Sequence, residues 1–557
     1  MKKQMSVSKR NLFRKLNDRG GFNIVVVLII AVVVLGIVFW VASGSFTNFT
    51  KSNFSKPESY LKYVEKKELL GENYSSVNKA YQNIFNQLDY SSNAIEEEFS
   101  FIVGERGERY IKMAKQLGAD LSWLQSFGVE ILLNSKDDDL QVKSSFSLNN
   151  QKVVSPEIIL DMHNKLAYLG AAELSKEYLK FDLSEKISDE DFNEAKARFE
   201  KFKKAYPDSK EVNKLIEKYL DLVFAEVKNV EKSKKAELES DDVSQKCTEL
   251  TVTLSEKDLK SIIKAVCNEL SKDQNAKKIL KDYLSATKPN VDADQACERF
   301  QEKAEEVAGR IDDIEFNLEK VVIRLYLDKK SNVVGRIYEV QRGGEDPIIV
   351  KMIAPTDKNK SGFEISYQKG ARKNSFEGTG KLKGNKLSGD YTLRINDTKV
   401  LNMEVKDFDL KALKDGNLKG HFVIKPSGDL DMDQLLSAFG INNKMISSTL
   451  ALVKPGLDLK LDTGKTKSSM EIAVTDSDVD IFRIVCKVST KKNSAIKTPS
   501  KTVDVTDQEA VNKFIDSLDW DKIDKTLDKA NVPSAYLDAL KRYLEKSTLK
   551  KYLDKKQ

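Results

Sequence analysis

The sequence predicts an α+β fold: an N-terminal single transmembrane helix, then a large antiparallel β-meander, half-barrel-like and covered by amphipathic helices. Three observations predict this class. Residues 24–42 form one uncharged apolar run. Between residues 315 and 489, apolar and polar residues mostly alternate with a period of two, as in half-buried strands. Segments with helical apolar spacing lie before and after that region, and they are the expected cover for the apolar face of the sheet.

The apolar run IVVVLIIAVVVLGIVFWVA would span roughly 28 Å as a helix, which matches the hydrocarbon thickness of a bilayer. A cleaved signal peptide is the alternative, because Ala42, Ser43 and Gly44 are small. The run is longer than the roughly 7–15 apolar residues of such peptides, which favours an anchor. The candidate membrane-anchor residues are Ile24, Leu28, Val33, Ile37 and Trp40.

The charges around this run predict its direction in the membrane. The first 21 residues hold seven basic residues and one acid, and Lys and Arg stay on the cytoplasmic side. The expected location is therefore the cell membrane, single-pass, with a cytoplasmic N-terminus and an extracytoplasmic bulk. The net charge of the whole chain is +6, so the remaining 85 basic and 85 acidic residues balance. A neutral, highly charged body is not typical of a nucleic-acid-binding protein.

Five segments are expected along the chain. They are a basic cytoplasmic tail (1–21), a transmembrane helix (22–43), a first α+β ectodomain segment (44–229), a second segment of mostly antiparallel sheet (230–500) and C-terminal helices (501–557).

In the first ectodomain segment, periodicity predicts helices, strands and a hairpin in turn. The expected helices are 56–88, 108–127 and a pair over 192–223. The expected strands are 97–103, 129–133, 140–148, 158–162, 165–170 and 174–183.

The second segment begins with an expected hairpin, 230–238 with 247–254, and a capping box at Ser255 to Asp258 starts the next helix. Strands of the meander then follow with turns at Gly343-Gly344, Gly384-Asn385 and Asn396-Asp397, and a short helix is expected over 432–439. A second capping box, Thr506 to Glu509, is expected to open the C-terminal helices.

The four cysteines are Cys247, Cys267, Cys297 and Cys486, and four cysteines allow three pairings. Three of them fall in register with apolar neighbours, which is typical of small core residues. A disulfide between Cys267 and Cys297 is one candidate pairing. No CxxC motif occurs, so neither metal nor thioredoxin-like chemistry is indicated.

The sequence gives little support for a catalytic site or a cofactor-binding motif. The two histidines, His163 at an expected turn and His421 in an expected strand, have no nucleophile motif beside them. Gly464-Lys465-Thr466 lacks the first glycine of a phosphate loop. The acidic groups at 429–433 and 476–480 lack the glycine and glutamate of a calcium loop. No cofactor, metal or catalytic residue is therefore predicted.

The strand patterns IILD (158–161), LAYL (166–169), ELS (173–175) and YLKFDL (178–183), followed by the later meander, resemble uncharacterised membrane-anchored surface proteins of clostridia. The order of parts over residues 95–490 is also similar in style to the LolA/LppX-type envelope proteins. That resemblance implies a curved antiparallel sheet, covered by helices, that can enclose an acyl chain. The sequence departs from it in size and in lacking a lipobox.

These observations favour a non-enzymatic protein that binds an apolar ligand or lipid, or that serves as an envelope scaffold docking a protein partner. Membrane lipid is the expected partner of the N-terminal helix. The alternative is an envelope hydrolase of the cell wall, for which abundant carboxylates and the expected location are the only support. A sensor that signals through a partner is a third hypothesis.

Overall fold

A computed structural model describes residues 56–70, 79–80, 83, 87, 93–115, 120–136, 139–184, 209–288, 290–427, 455–534 and 536. The helices in these ranges are α1 (Pro57–Leu70), α2 (Glu105–Lys115), α3 (Ser209–Glu226), α4 (Glu256–Leu270), α5 (Gln274–Thr287), α6 (Ala293–Arg310), α7 (Leu410–Lys414), α8 (Gln508–Asp516) and α9 (Trp520–Lys529), with a 3₁₀ turn at Ile311–Asp313.

The strands in the same ranges are β1 (Asn93–Val103), β2 (Ser126–Lys136), β3 (Asp139–Leu148), β4 (Gln151–Val154), β5 (Pro156–Asp161), β6 (Leu166–Ala171), β7 (Tyr178–Asp182), β8 (Val230–Ser240), β9 (Val243–Leu254), β10 (Leu318–Leu327), β11 (Val333–Arg342), β12 (Ile348–Ile353), β13 (Thr356–Asp357), β14 (Lys360–Lys369), β15 (Arg372–Lys383), β16 (Lys386–Ile395), β17 (Thr398–Asp409), β18 (Lys419–Pro426), β19 (Pro455–Asp462), β20 (Lys467–Asp476), β21 (Val479–Lys492) and β22 (Thr502–Asp504).

The predicted fold class is wrong, although the antiparallel sheet that it contained is confirmed. Strands account for 48% of the structure and helices for 29%, so the fold is mostly β. Within the described ranges, no helix has both the length and the apolar character needed to cross a bilayer. The predicted span, residues 22–43 with Ile24, Leu28, Val33, Ile37 and Trp40, lies outside the described residues.

The chain divides into two compact units, each assembled from separate segments. Unit 1 comprises residues 1–78, 208–273 and 301–373, and unit 2 comprises residues 79–207, 274–300 and 374–557. The contiguous boundaries at 229/230 and 500/501 stay predictions of the sequence.

Unit 1 contains an antiparallel sheet in the order β8, β9, β10, β11, β12, β14, with the short β13 paired to β14. The sheet curls strongly. A Cβ atom at Gly362, near the start of β14, would lie 2.9 Å from the carbonyl oxygen of Ser240 at the end of β8. Only glycine allows the two strands to approach so closely.

The core of unit 1 fills the space between one face of this sheet and its helices. Leu250 in β9 and Leu325 and Leu327 in β10 are almost completely buried, at 0%, 1% and 0% exposure. They pack with Leu61 and Val64 of α1 in one cluster. Each fully buried side chain of this size stabilises the fold by about 1.5–3 kcal/mol relative to an exposed one.

Polar contacts fix α1 on the β10–β11 hairpin. Arg336 of β11 donates two hydrogen bonds to Glu65, at 2.6 and 2.8 Å, and both side chains are nearly buried. Tyr60 shares a 2.7 Å hydrogen bond with Ser331. Such a bidentate pair has a single geometry, so it sets the position of the helix along the strand.

Unit 2 contains a second, longer sheet in the order β15, β16, β17, β18, β19, β20, β21, β1, β2, β3, β5, β6, β7, β22, with β4 paired to the end of β3. Every pairing is antiparallel except that of β22 with β7. Strand β1 joins the early and late parts of the unit because it lies between β21 and β2.

Most strand predictions are confirmed, and the capping box of Ser255 with Asp258 is confirmed in full. Two helix ends are wrong. The helix predicted over 108–127 is α2, which begins at Glu105 and ends at Lys115. Residues 120–125 are not helical, and the Asp120 side chain accepts the Ser122 N–H at 3.1 Å, which competes with helix formation.

The other misplaced end is the start of α8. Asp507, not Thr506, is its N-cap, and the Asp507 carboxylate accepts the Ala510 N–H at 3.0 Å. Thr506 instead donates its hydroxyl to Asp504 at 2.7 Å. A carboxylate at this position also interacts favourably with the helix dipole, which a hydroxyl does not. The helices predicted over 192–202 and 432–439 lie outside the described residues.

Candidate functional site

The candidate site is the apolar face of the unit 2 sheet. Strand register places three rows of apolar side chains side by side, and we call these rows the apolar face. The central row is Val405, Phe422, Leu459, Ile472, Ile484, Phe101, Phe127 and Leu148. One flanking row is Met403, Ile424, Leu457, Val474, Phe482 and Val103. The other flanking row is Leu461, Met470, Cys486, Phe99, Val129 and Phe146.

Alternation in each strand produces this face. Because successive side chains point to opposite sides of a strand, a strand such as β1 (NAIEEEFSFIV) places Phe99, Phe101 and Val103 on one side and Glu98 and Ser100 on the other. Phe101 and Phe482 stack with ring centroids 5.5 Å apart, which confirms that they share a side. The central row crosses eight strands, so at about 4.8 Å per strand it extends over about 34 Å.

The apolar face is only half-buried along most of its length. In the central row Val405 alone is buried, and the other seven side chains are of intermediate exposure. Phe99 and Met470 in the neighbouring row are 39% and 37% exposed. Large apolar side chains at this exposure, contiguous over several strands, are typical of interaction surfaces rather than of a packed core.

The C-terminal helices cover one end of this side of the sheet. Val511 and Phe514 of α8 pack on Leu179 of β7 and are buried. Ile523 and Leu527 of α9 form a buried cluster with Val153 of β4, and Leu148 of β3 packs against this cluster. The two helices therefore cover this side of the sheet at β7 and at β4 with the end of β3, and the half-exposed part of the face lies over β17 to β2.

The opposite side of the same strands carries a ladder of charges. Lys460 binds Glu471 at 3.0 Å, and Arg483 binds the same carboxylate at 2.7 Å. Lys487 binds Glu98 at 2.8 Å. The hydrogen bond from Lys491 to Glu96 holds the pKa of that carboxyl below its usual range. This side is therefore a solvated surface, and the two sides of the sheet differ sharply in polarity.

The four cysteines are free thiols in the structure. Burial raises the pKa of Cys247 to about 12, and burial also raises the pKa of Cys267 and of Cys297. Cys486 differs because it is half-exposed and lies on the apolar face opposite Phe99. The candidate disulfide between Cys267 and Cys297 stays a prediction.

The residues considered for catalysis lie in ordinary structural positions. His163 is in the turn between β5 and β6. His421 in β18 is hydrogen-bonded to Asp458 at 2.8 Å, and its partners in the flanking strands are Lys406 and Lys460, which carry no nucleophilic hydroxyl or thiol. Within the described ranges, no group of three His, Cys, Asp or Glu residues is placed to hold a metal ion.

In the described ranges, the acidic residues considered as calcium ligands bind other side chains of the protein. Asp476 forms an ion pair with Arg106 at 2.9 Å and accepts a hydrogen bond from Tyr110 at 3.0 Å, so it fixes α2 on the sheet. Asp478 binds Lys425, and Asp480 binds Arg483. The group at 429–433 lies outside the described residues.

The alternation in the sequence predicted a one-faced meander, but it was not used to place the carboxylate of Glu97 on the apolar side. Glu97 follows the same alternation as Phe99 and Phe101, and it is half-buried between Val488 and Ile131 of the flanking strands. Assigning a face to every residue of the segment 93–103 would have found it.

Comparison with known proteins does not narrow the choice of family or function. No protein-family model matches this chain, and no match was found among curated proteins or among solved structures. The resemblance to clostridial surface proteins and to LolA/LppX-type proteins therefore stays a prediction, and the case for function rests on the apolar face.

Proposed function

We propose that unit 2 is a non-enzymatic binding module that holds an apolar ligand, such as the acyl chain of a lipid, on its apolar face. The observation that carries the proposal is the half-exposure of contiguous Phe, Leu, Ile and Met side chains over the strands from β17 to β2. Covering apolar surface stabilises a complex by roughly 25 cal/mol for each Å² removed from water, so this face favours an apolar ligand. The extracytoplasmic location stays a prediction.

The dimensions of the face support an extended ligand. Three rows are about 13 Å wide, since side chains on one side of a strand recur every two residues, and the half-exposed length from β17 to β2 is about 29 Å. A long, narrow apolar strip of this kind suits one or more alkyl chains better than a compact molecule. The charge ladder on the reverse side gives the ligand only one side of the sheet to bind.

No observation favours the alternative of a cell-wall hydrolase. Hydrolysis of a glycosidic bond needs two carboxyl groups that converge on the substrate, one of them free to give up a proton. The carboxylates of Glu96, Glu98 and Glu471 on the charged side of unit 2 are each bound to Lys or Arg.

A fluorescent apolar probe tests the proposal directly. N-phenyl-1-naphthylamine should bind the purified protein and be displaced by long-chain lipids. Met470→Glu places a charge on the apolar face and should weaken probe binding by about tenfold, because burying an unpaired carboxylate is costly. Ser469→Glu is the matched control, since Ser469 is the preceding residue and points to the charged side. Equal affinities of the two variants would overturn the proposal.

Thiol modification gives an independent test. A bound alkyl chain should slow the reaction of Cys486 with a maleimide, because Cys486 lies on the apolar face. In a Cys486→Ser background, Lys487→Cys places the thiol on the opposite side, where lipid should leave the rate unchanged. Protection of both thiols to the same extent would indicate a general change in the protein rather than occupancy of the face.

A further inference from the structure

One carboxylate stands among the apolar residues at the border of the apolar face. Glu97 belongs to the row Ser468, Val488, Glu97, Ile131 and Ser144, which lies next to the row that contains Phe99. Along its own strand its neighbours on the same side are Ile95, which is buried, and Phe99, which is half-exposed. Glu97 itself is of intermediate burial.

The adjacent glutamates show how unusual this position is. Glu96 binds Lys491 at 2.7 Å and Glu98 binds Lys487 at 2.8 Å, both on the charged side. Glu97 points to the other side and, within the described part of the chain, forms no ion pair and no side-chain hydrogen bond. A half-buried carboxylate without a partner lacks the charge compensation that such groups normally have.

We infer that the ligand is an amphiphile with a cationic amine head group, whose ammonium binds Glu97 and whose alkyl chain lies on the apolar face. This inference rests on the function proposed above. The row supports this placement because Ser144 adds a hydroxyl group to it and the rows beyond Phe99 are apolar. The other hydroxyl of the row, that of Ser468, is already hydrogen-bonded to Gln87 at 2.9 Å. An ammonium–carboxylate hydrogen bond is roughly twice as strong as a neutral one, so the head group determines specificity and the chain supplies apolar contact.

Displacement of N-phenyl-1-naphthylamine by amphiphiles of one chain length tests the inference. Hexadecylamine, hexadecanol and hexadecyl sulfate, each used as a monomer below its solubility limit or micelle concentration, differ only in the head group. The amine should displace the probe at a concentration about fivefold lower than the alcohol, which is the scale of a partly solvated ion pair, and the sulfate should be the weakest.

Three variants locate the preference. Glu97→Gln keeps the shape of the side chain and should remove the advantage of the amine, and Glu97→Lys should reverse the order in favour of the sulfate. Glu98→Gln is the matched control, because it removes the neighbouring charge from the opposite side and should leave the order unchanged. Thermal unfolding of each variant establishes that it is folded.

The outcomes separate this inference from the proposed function. If the probe binds and the three amphiphiles displace it equally, or if Glu97→Gln retains the preference for the amine, the inference about the head group is overturned and the apolar site stands. If neither the probe nor any amphiphile binds the folded wild-type protein, both the inference and the proposed function are overturned.

Discussion

Units 1 and 2 each contain an antiparallel sheet with one apolar side. This side is buried in unit 1 and half-exposed along most of its length in unit 2. In unit 1, Leu250, Leu325 and Leu327 are sealed beneath helices. In unit 2, the central row from Phe422 to Phe127 remains half-exposed. Similar alternation along the strands therefore produces a core in one unit and a surface in the other.

The connections between strands explain part of the difference. In unit 1, α3 directly precedes β8 and α4 directly follows β9, so helices next to the strands in sequence cover the sheet. In unit 2, β19, β20 and β21 at the centre of the face are joined by the four residues 463–466 and by the two-residue turn Ser477-Asp478, which leave no room for a helix. Short turns thus extend an apolar face without supplying its cover.

The largest expected effect comes from breaking the buried ion pair of unit 1. Arg336→Met leaves Glu65 nearly buried without its partner, and we expect the free energy of unfolding to fall by about 3–4 kcal/mol. Lys487→Met in unit 2 removes an exposed pair and should cost less than about 1 kcal/mol. Urea denaturation followed by circular dichroism measures both, and similar losses would contradict the difference in burial.

The second effect compares equal truncations on the two apolar sides. Leu325→Ala empties a packed site in unit 1 and should destabilise the protein by about 3 kcal/mol. Leu459→Ala removes a half-exposed side chain from unit 2 and should cost about 1 kcal/mol, since less apolar surface returns to water. A loss at Leu459 as large as that at Leu325 would mean that the face is part of a packed core.

The third effect is on the pH dependence of the free energy of unfolding. Burial raises the pKa of Glu364 in unit 1, but hydrogen bonding from Ser366 and the charges of Lys351 and Lys373 outweigh it and leave the pKa below its usual range. A lowered folded-state pKa means that the ionised form stabilises the fold above the unfolded-state pKa. This stabilisation is lost as the pH falls through the folded-state pKa.

As the pH falls from about 5 to about 3, the free energy of unfolding of Glu364→Gln should therefore decrease less than that of the wild type. Glu96→Gln in unit 2 should change the same pH dependence less, because Glu96 is 47% exposed and its pair with Lys491 is screened by solvent. Denaturation curves across this range make the measurement, and identical curves for Glu364→Gln and wild type would contradict the role of Glu364.

The smallest expected effect is a change in the reactivity of the cysteine thiols, which leaves the fold intact. A disulfide reagent such as DTNB should titrate one thiol quickly in the native protein and four in denaturant, because Cys486 is half-exposed and the other three cysteines are buried. Cys486→Ser should abolish the fast phase. A fast phase that survives this substitution would show that a buried cysteine of either unit is accessible.

Local patterns in the sequence predicted much of the sheet and little of its surroundings. Alternation marked β2, β16, β19 and β20, and turn residues such as Asn396-Asp397 marked where strands end, because these signals span only a few residues. The same signals could not state which helix covers which side. They also did not show that Glu97 is flanked by Val488 and Ile131, which is evident only once β1 is placed between β21 and β2.

The position of β1 has a consequence for how the protein folds. Glu98 and Lys487 are 389 residues apart in sequence, yet they lie in adjacent strands. During synthesis the edge of β1 that binds β21 stays open until β21 has left the ribosome. Pairing at such sequence separation is slow, and unpaired edges aggregate, so we expect unit 2 to complete its folding late and to need protection until β21 arrives.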